Sequence, residues 1–190
     1  MKISLVLIII FISGACCCPT NKSYKGSCLL KPTQRFVYLY KLPSTTSTPV
    51  DSIINDTVTE DYPVLIINDI KNEFAHVEIV NDANSTLNQS GWIELRLLGI
   101  NPATTDTIRL YKKPDEKSEI SCYINHPCWG DLYTIKDCSN NWLKITTIEE
   151  STVKEGWLSP PDQCDNPYSA CNWIRNQECI GVDRKKHTPN

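Results

Sequence analysis

Four short motifs occur twice in this chain, in the same order. Leu39-Tyr40-Lys41-Leu42-Pro43 answers Leu110-Tyr111-Lys112-Lys113-Pro114, and Val64 to Asp69 answers Leu132 to Asp137. His76-Val77-Glu78-Ile79 answers Trp142-Leu143-Lys144-Ile145, and Gly91-Trp92-Ile93 answers Gly156-Trp157-Leu158. Each motif is rich in aromatic and β-branched residues, and Pro, Asn, Ser and Thr separate them, as between strands. Nothing in either copy has the period of a useful helix. A repeat of roughly 65 residues built only from short strands predicts two copies of a small β-barrel. The fold class expected is therefore all-β, with two small barrels in tandem.

The first unit is expected over residues 35–98 and the second over 107–163, with Gly99 to Asp106 as the linker between them. Alternation places Ala75, Val77 and Ile79 on one face of a strand, with His76 and Glu78 on the other. In the second unit it places Leu143 and Ile145 inward, and Trp142, Lys144 and Thr146 outward. Gly156 ahead of Trp157 would let a final strand bend across the barrel.

The N-terminus reads as an address. Lys2 precedes an apolar run from Ile3 to Ile12, then Ser13-Gly14-Ala15 and Cys16. That is the layout of a secretory signal over residues 1–15, and the run is about half the ~20 residues of a spanning helix. An exported chain meets an oxidising compartment. Small residues directly before a cysteine also resemble a bacterial lipoprotein signal, although Ser13 stands where that family usually has Leu. The resemblance implies lipidation at Cys16 and a membrane anchor, with residues 16–34 as a tether.

Small cores gain from staples, because little apolar surface is available to each. Cys122, Cys128, Cys138, Cys164, Cys171 and Cys179 lie in the second unit and in a C-terminal tail over 164–190. Six cysteines permit 15 pairings. Cys122 with Cys128, and Cys164 with Cys171, would close short loops, leaving Cys138 for Cys179 or Cys28. A disulfide-stapled second unit is expected. A zinc set of Cys122, His126, Cys128 and Cys138 has acceptable ligand types but no compact spacing, so no metal is expected.

The repeated motifs resemble bacterial SH3-like domains. Leu110-Tyr111, Trp142-Leu143-Lys144-Ile145 and Gly156-Trp157-Leu158 carry the resemblance, over about two thirds of the chain. The C-terminal stretch from Gly156 to Cys171 is similar to the ends of small secreted lipoproteins of the Bacteroidetes type. The resemblance implies a module of the bacterial cell envelope, in the periplasm or at the outer membrane. Such barrels bind extended peptides or cell-wall fragments along an aromatic groove. The candidate ligand-binding residues are Trp142, Trp129, Tyr111, Tyr133 and Trp157. In the first unit Tyr40, Tyr62 and Trp92 are fewer, and that unit reads as a spacer.

No catalytic set is expected. His76 sits on a strand, His126 lies among cysteines and His187 is in the tail, so none pairs with an evident nucleophile. SH3-like domains often accompany papain-like cell-wall peptidases, but no peptidase-sized segment is left over. No phosphate loop or cofactor motif occurs. The net charge of −3 is too small for a nucleic-acid binder, and Arg184-Lys185-Lys186 reads as a solvated end. The expected function is an exported, lipid-anchored adaptor that binds cell-wall peptide or an envelope protein. A structural, inhibitor or immunity-type lipoprotein is the alternative.

Overall fold

Both units turn on the same device. Asn72 and Glu73 have φ of 51° and 62°, and Asn140 and Asn141 have φ of 51° and 67°. Two consecutive left-handed residues make the tight turn whose twist suits an antiparallel hairpin. Glu150 and Ser151 repeat it with φ of 49° and 66°. The computed structural model describes residues 26–33, 35–54, 63–81, 89–128 and 130–165.

The strands are β1 (Gly26–Leu30), β2 (Phe36–Tyr40), β3 (Pro49–Ile54), β4 (Val64–Lys71), β5 (Phe74–Asn81), β6 (Ser90–Glu94) and β7 (Leu98–Pro102). They continue with β8 (Ile108–Tyr111), β9 (Ile120–Ile124), β10 (Tyr133–Ser139), β11 (Trp142–Glu149), β12 (Thr152–Leu158) and β13 (Gln163–Cys164). Besides these, the described residues form only two short 3-10 turns, Leu95–Leu97 and Pro160–Asp162. The fold is all-β, and the thirteen strands among the described residues form one antiparallel sheet.

The sheet runs β3-β2-β6-β5-β4-β1-β7-β10-β11-β12-β8-β9, with β13 on β7. It corrects the expectation of closed barrels, because β3 and β9 are free ends of the path. In the second unit the seam lies between β9 and β12. Ser121 Oγ at 2.9 Å and Cys122 Sγ at 3.6 Å both donate to the Glu155 carbonyl there, in place of a backbone ladder. A side-chain bridge satisfies that carbonyl without pairing the strands.

Two strands fall where none was expected. β1 lies inside the stretch read as a tether, and β7 begins at the last residue of the first unit and runs into the stretch read as a linker. β7 is buried at all five residues and pairs with both β1 and β10. It follows the 3-10 turn of the first unit as β13 follows that of the second, and it pairs with β10 as β1 pairs with β4. One strand thus serves as the last of one unit and the first of the next. A single apolar core runs through both units, from Leu39, Leu65 and Val77 to Leu98, Ile100, Ile135 and Leu143.

The structure also shifts one line of the repeat. Phe74 and Trp142 each follow a two-residue turn and open a strand, so Phe74 is the counterpart of Trp142. His76 corresponds instead to Lys144: they pair with Asp69 and Asp137, respectively, each just past a bulge. The loops after β2 and β8 match in detail. Leu42 N donates to Ser47 Oγ and Lys113 N to Ser118 Oγ, both at 3.0 Å.

The stapling expected of Cys122 and Cys138 is corrected as well, because both are free thiols, as is Cys28. Cys138 is fully buried in the core, and Cys122 is engaged at the seam. Cys128 and Cys164 are each disulfide-bonded. Cys16, Cys171, Cys179, Trp129 and the signal stretch lie outside the described residues.

Candidate functional site

Tyr111, Trp142 and Trp157 come together at one end of the second unit. Tyr111 pairs across strands with Trp157, and Trp157 pairs with Lys144. Trp142 meets Tyr111 edge-on, with ring centroids 5.5 Å apart and planes at 86°. That geometry sets the positive edge of one ring against the negative face of the other. Tyr111 and Trp157 are half-buried, while Trp142 is 8% exposed although its neighbour Lys144 faces outward. The burial comes from covering chain, the loop after β8 and the Pro160–Pro161 corner, which wall the cleft above it.

This cleft has a volume of about 360 Å³ and is lined by Asp115, Glu116, Lys117, Trp142, Pro160 and Pro161. Its walls are held by local bonds. Ser118 N donates to Asp115 O at 2.9 Å, and Lys117 N to Asp115 Oδ1 at 2.9 Å. On the other side, Ser159 Oγ donates to Asp162 Oδ2 at 2.6 Å. Gln163 Nε2 donates to the carbonyls of Asn141 at 2.8 Å and Leu158 at 3.1 Å. Gln163 thereby ties the proline corner to the turn that launches Trp142. The cleft offers an aromatic floor, two proline rings and charges of both signs. It suits an extended polar chain rather than a small apolar ligand.

A second cleft of about 370 Å³ lies where the units meet, lined by Gly26, Ser27, Ile66, Ile100, Asn141, Pro160, Gln163 and Asp165. It has no aromatic lining, so it offers less for recognition.

Tyr133 stands apart from the other candidates. It is 1% exposed, opposite Ile100 of β7, and its Oη has no partner among the described residues. Burial, then Asp131 and Glu149, hold its phenol well above the ordinary tyrosine range. Cys138 and Cys28 are neutral thiols. Burial and then Asp137 push Cys138 up to about 12, while burial, then Cys138 and Asp165, raise Cys28. Raised thiols of this kind are poor nucleophiles. Among the described residues no three His, Cys, Asp or Glu side chains gather as a metal site.

The first unit has the same aromatic row. Tyr40 pairs with Trp92, Trp92 with His76, and His76 with Asp69. The Tyr40 and Phe74 rings meet at 6.2 Å and 85°, and those of His76 and Trp92 at 5.3 Å and 72°. The sequence reading missed this row. The signal was available as the Leu-Tyr and Gly-Trp pairs common to both copies, but the two-residue offset at His76 hid its completion.

No family model matches the chain, and no curated protein matches it. Among solved structures it is similar to NlpC2 from Trichomonas vaginalis, at 19% identity and a TM-score of 0.32, over 75% of this chain and 49% of that one. It is similar to NlpC1 from the same organism at 18% identity and a TM-score of 0.32, over 73% and 45%. The chain spans about half the length of each. Similarity at this level carries no argument about activity.

Proposed function

We propose that the protein is an exported binding module which grips an extended peptide in the cleft over Trp142. The peptide is a cell-wall peptide or a segment of an envelope protein. In this reading the two units are SH3-like barrels left open at one seam, and Cys128 and Cys164 staple the second. The signal stretch and Cys16 anchor the chain by lipid at the membrane surface. The observation that carries the proposal is the buried Trp142 floor between two walls fixed by their own hydrogen bonds. A preformed cleft loses little entropy when a ligand settles in it.

The test is titration of the mature chain with a peptidoglycan stem peptide, followed by Trp fluorescence and calorimetry. Trp142→Ala is expected to weaken binding by tenfold or more, on the order of 1–3 kcal/mol for a buried aromatic contact. Lys136→Ala, exposed on β10 away from the cleft, is expected to change nothing. Absence of binding by the unaltered chain, or equal binding by Trp142→Ala, would remove the proposal. Mass spectrometry of the mature N-terminus tests the anchor, which an unmodified Cys16 would exclude.

A further inference from the structure

The two aromatic rows differ in the side chain at one position. In the second unit the row is Tyr111, Trp157, Lys144, Asp137, and in the first it is Tyr40, Trp92, His76, Asp69. All eight side chains are half-buried, and they occupy equivalent cross-strand positions. An aromatic ring and a carboxylate flanking one position make a place for a cation, through the ring face and the ion pair together. The second unit has its own Lys144 at that position, and its Nζ is 2.7 Å from Glu155, the carboxylate of the next cross-strand pair; in the first unit Glu78, opposite Ser90, carries the carboxylate of that pair. The first unit has a histidine in place of the lysine, its ring edge-on to Trp92 at 5.3 Å.

The surroundings favour a cation as well. Glu78 projects from the same face of β5 as His76, where the second unit has Thr146. Asp69 accepts from Ile70 N through one oxygen at 2.9 Å. On β6, Glu94 is taken by Arg96 at 2.7 Å. Lys71 lies two residues beyond Asp69 on β4. It pairs with Phe74 at the hairpin end and is exposed.

We propose that the row Tyr40–Trp92–His76–Asp69 is a second binding site, which takes a lysine or arginine side chain of an extended peptide. The site makes the first unit a partner in binding rather than a spacer. It rests on the reading of the chain as a peptide-binding module, but not on the cleft over Trp142. Two sites on one continuous sheet would let a single peptide, or neighbouring peptides, be held at both.

The experiment titrates the mature chain with a short Gly-Lys repeat peptide, and with a Gly-Glu repeat as control, reading Trp fluorescence and backbone amide shifts of β5 and β6. The Gly-Lys peptide is expected to bind and to move the Trp92 and His76 amides, and the Gly-Glu peptide is not. His76→Lys places a cation in the site as Lys144 does, and is expected to weaken binding about tenfold. Asp69→Asn keeps the acceptor for Ile70 N while removing the charge, and is expected to weaken it severalfold. Circular dichroism of each variant separates a folding defect from a binding one. Should His76→Lys fail to fold, Asp69→Asn decides alone. Unchanged affinity in the folded variants, equal binding of both peptides, or shifts confined to the second unit would overturn the proposal. A loss with Trp142→Ala but none with His76→Lys or Asp69→Asn overturns this site and leaves the cleft standing. The reverse pattern overturns the cleft and leaves this site.

Discussion

At the scale of single residues, the buried thiols make stability depend on pH. Cys138 has a folded value near 12 against an ordinary value of 9.0, and Cys28 is raised in the same sense. Below pH 9 both states hold the proton, so the contribution to stability is fully present. Between the two values the unfolded chain loses protons that the folded chain keeps, so stability falls as pH rises. The slope approaches about 1.4 kcal/mol per pH unit for each thiol. Urea midpoints measured from pH 7 to pH 10.5 should therefore decline above pH 9, and Cys138→Ala should flatten the decline while lowering stability at pH 7. An equal slope in that variant would show that Cys138 is not buried as described. Alternation in the sequence identified the inward residues well: Ala75, Val77, Leu143 and Ile145 are all fully buried. It could not place Trp142, whose burial depends on a loop and a proline corner from elsewhere in the chain. Nor could it separate Tyr133 from the other aromatic residues, since a core tyrosine and a site tyrosine look alike along a strand.

At the scale of elements, the glycine before each closing tryptophan explains how the aromatic rows are built. A Cβ at Gly156 would lie 2.8 Å from Leu110 Cβ and 3.1 Å from the Tyr111 carbonyl oxygen. Gly91 is in the same position, 2.9 Å from Leu39 Cβ and 3.2 Å from Tyr40 O. β12 crosses β8 so closely that only glycine fits, and that approach brings Trp157 opposite Tyr111. Gly156→Ala must push two backbones apart and is expected to cost about 1–3 kcal/mol. Its near-UV circular dichroism should weaken as the Tyr111–Trp157 register loosens, while Gly130→Ala, in an exposed turn, serves as the comparison. An unchanged melting temperature would contradict the close crossing. Most strands were legible because their hydrophobic residues alternate. β7 was not, because Leu98-Gly99-Ile100-Asn101-Pro102 carries the Asn-Pro and glycine of a turn. The His76 offset has a comparable cause: Asn72-Glu73 and Asn140-Asn141 lack the glycine that normally announces a two-residue hairpin turn. β1 is five residues after a polar stretch, too short to stand out.

At the scale of the molecule, the sharing of β7 decides how the two units behave. Each unit needs that strand, one as its end and the other as its beginning, and the core on both sides of it is continuous. Neither unit is then an independent folding body, in contrast to domains joined by a linker. The consequence is cooperativity: the chain should unfold in a single transition. Native-state hydrogen exchange offers the direct measurement, since amides of β5 and β11 belong to different units and should open at the same free energy. Ile100 is fully buried at the centre of β7. Ile100→Ala removes packing there and is expected to destabilise by about 2–5 kcal/mol. If β7 couples the units, that loss lowers protection in β5 and β11 equally. If it lowers only one of them, the units fold separately and the repeat is two domains after all. The answer bears on function, because a shared strand fixes the row of the first unit and the cleft of the second in one frame. Two sites in a fixed frame favour ligands whose spacing matches, and an extended peptide advances about 3.3 Å per residue. Peptides that place lysine at different distances from the segment gripped over Trp142 should thus differ in affinity if the frame is rigid. They should bind alike if the units move independently.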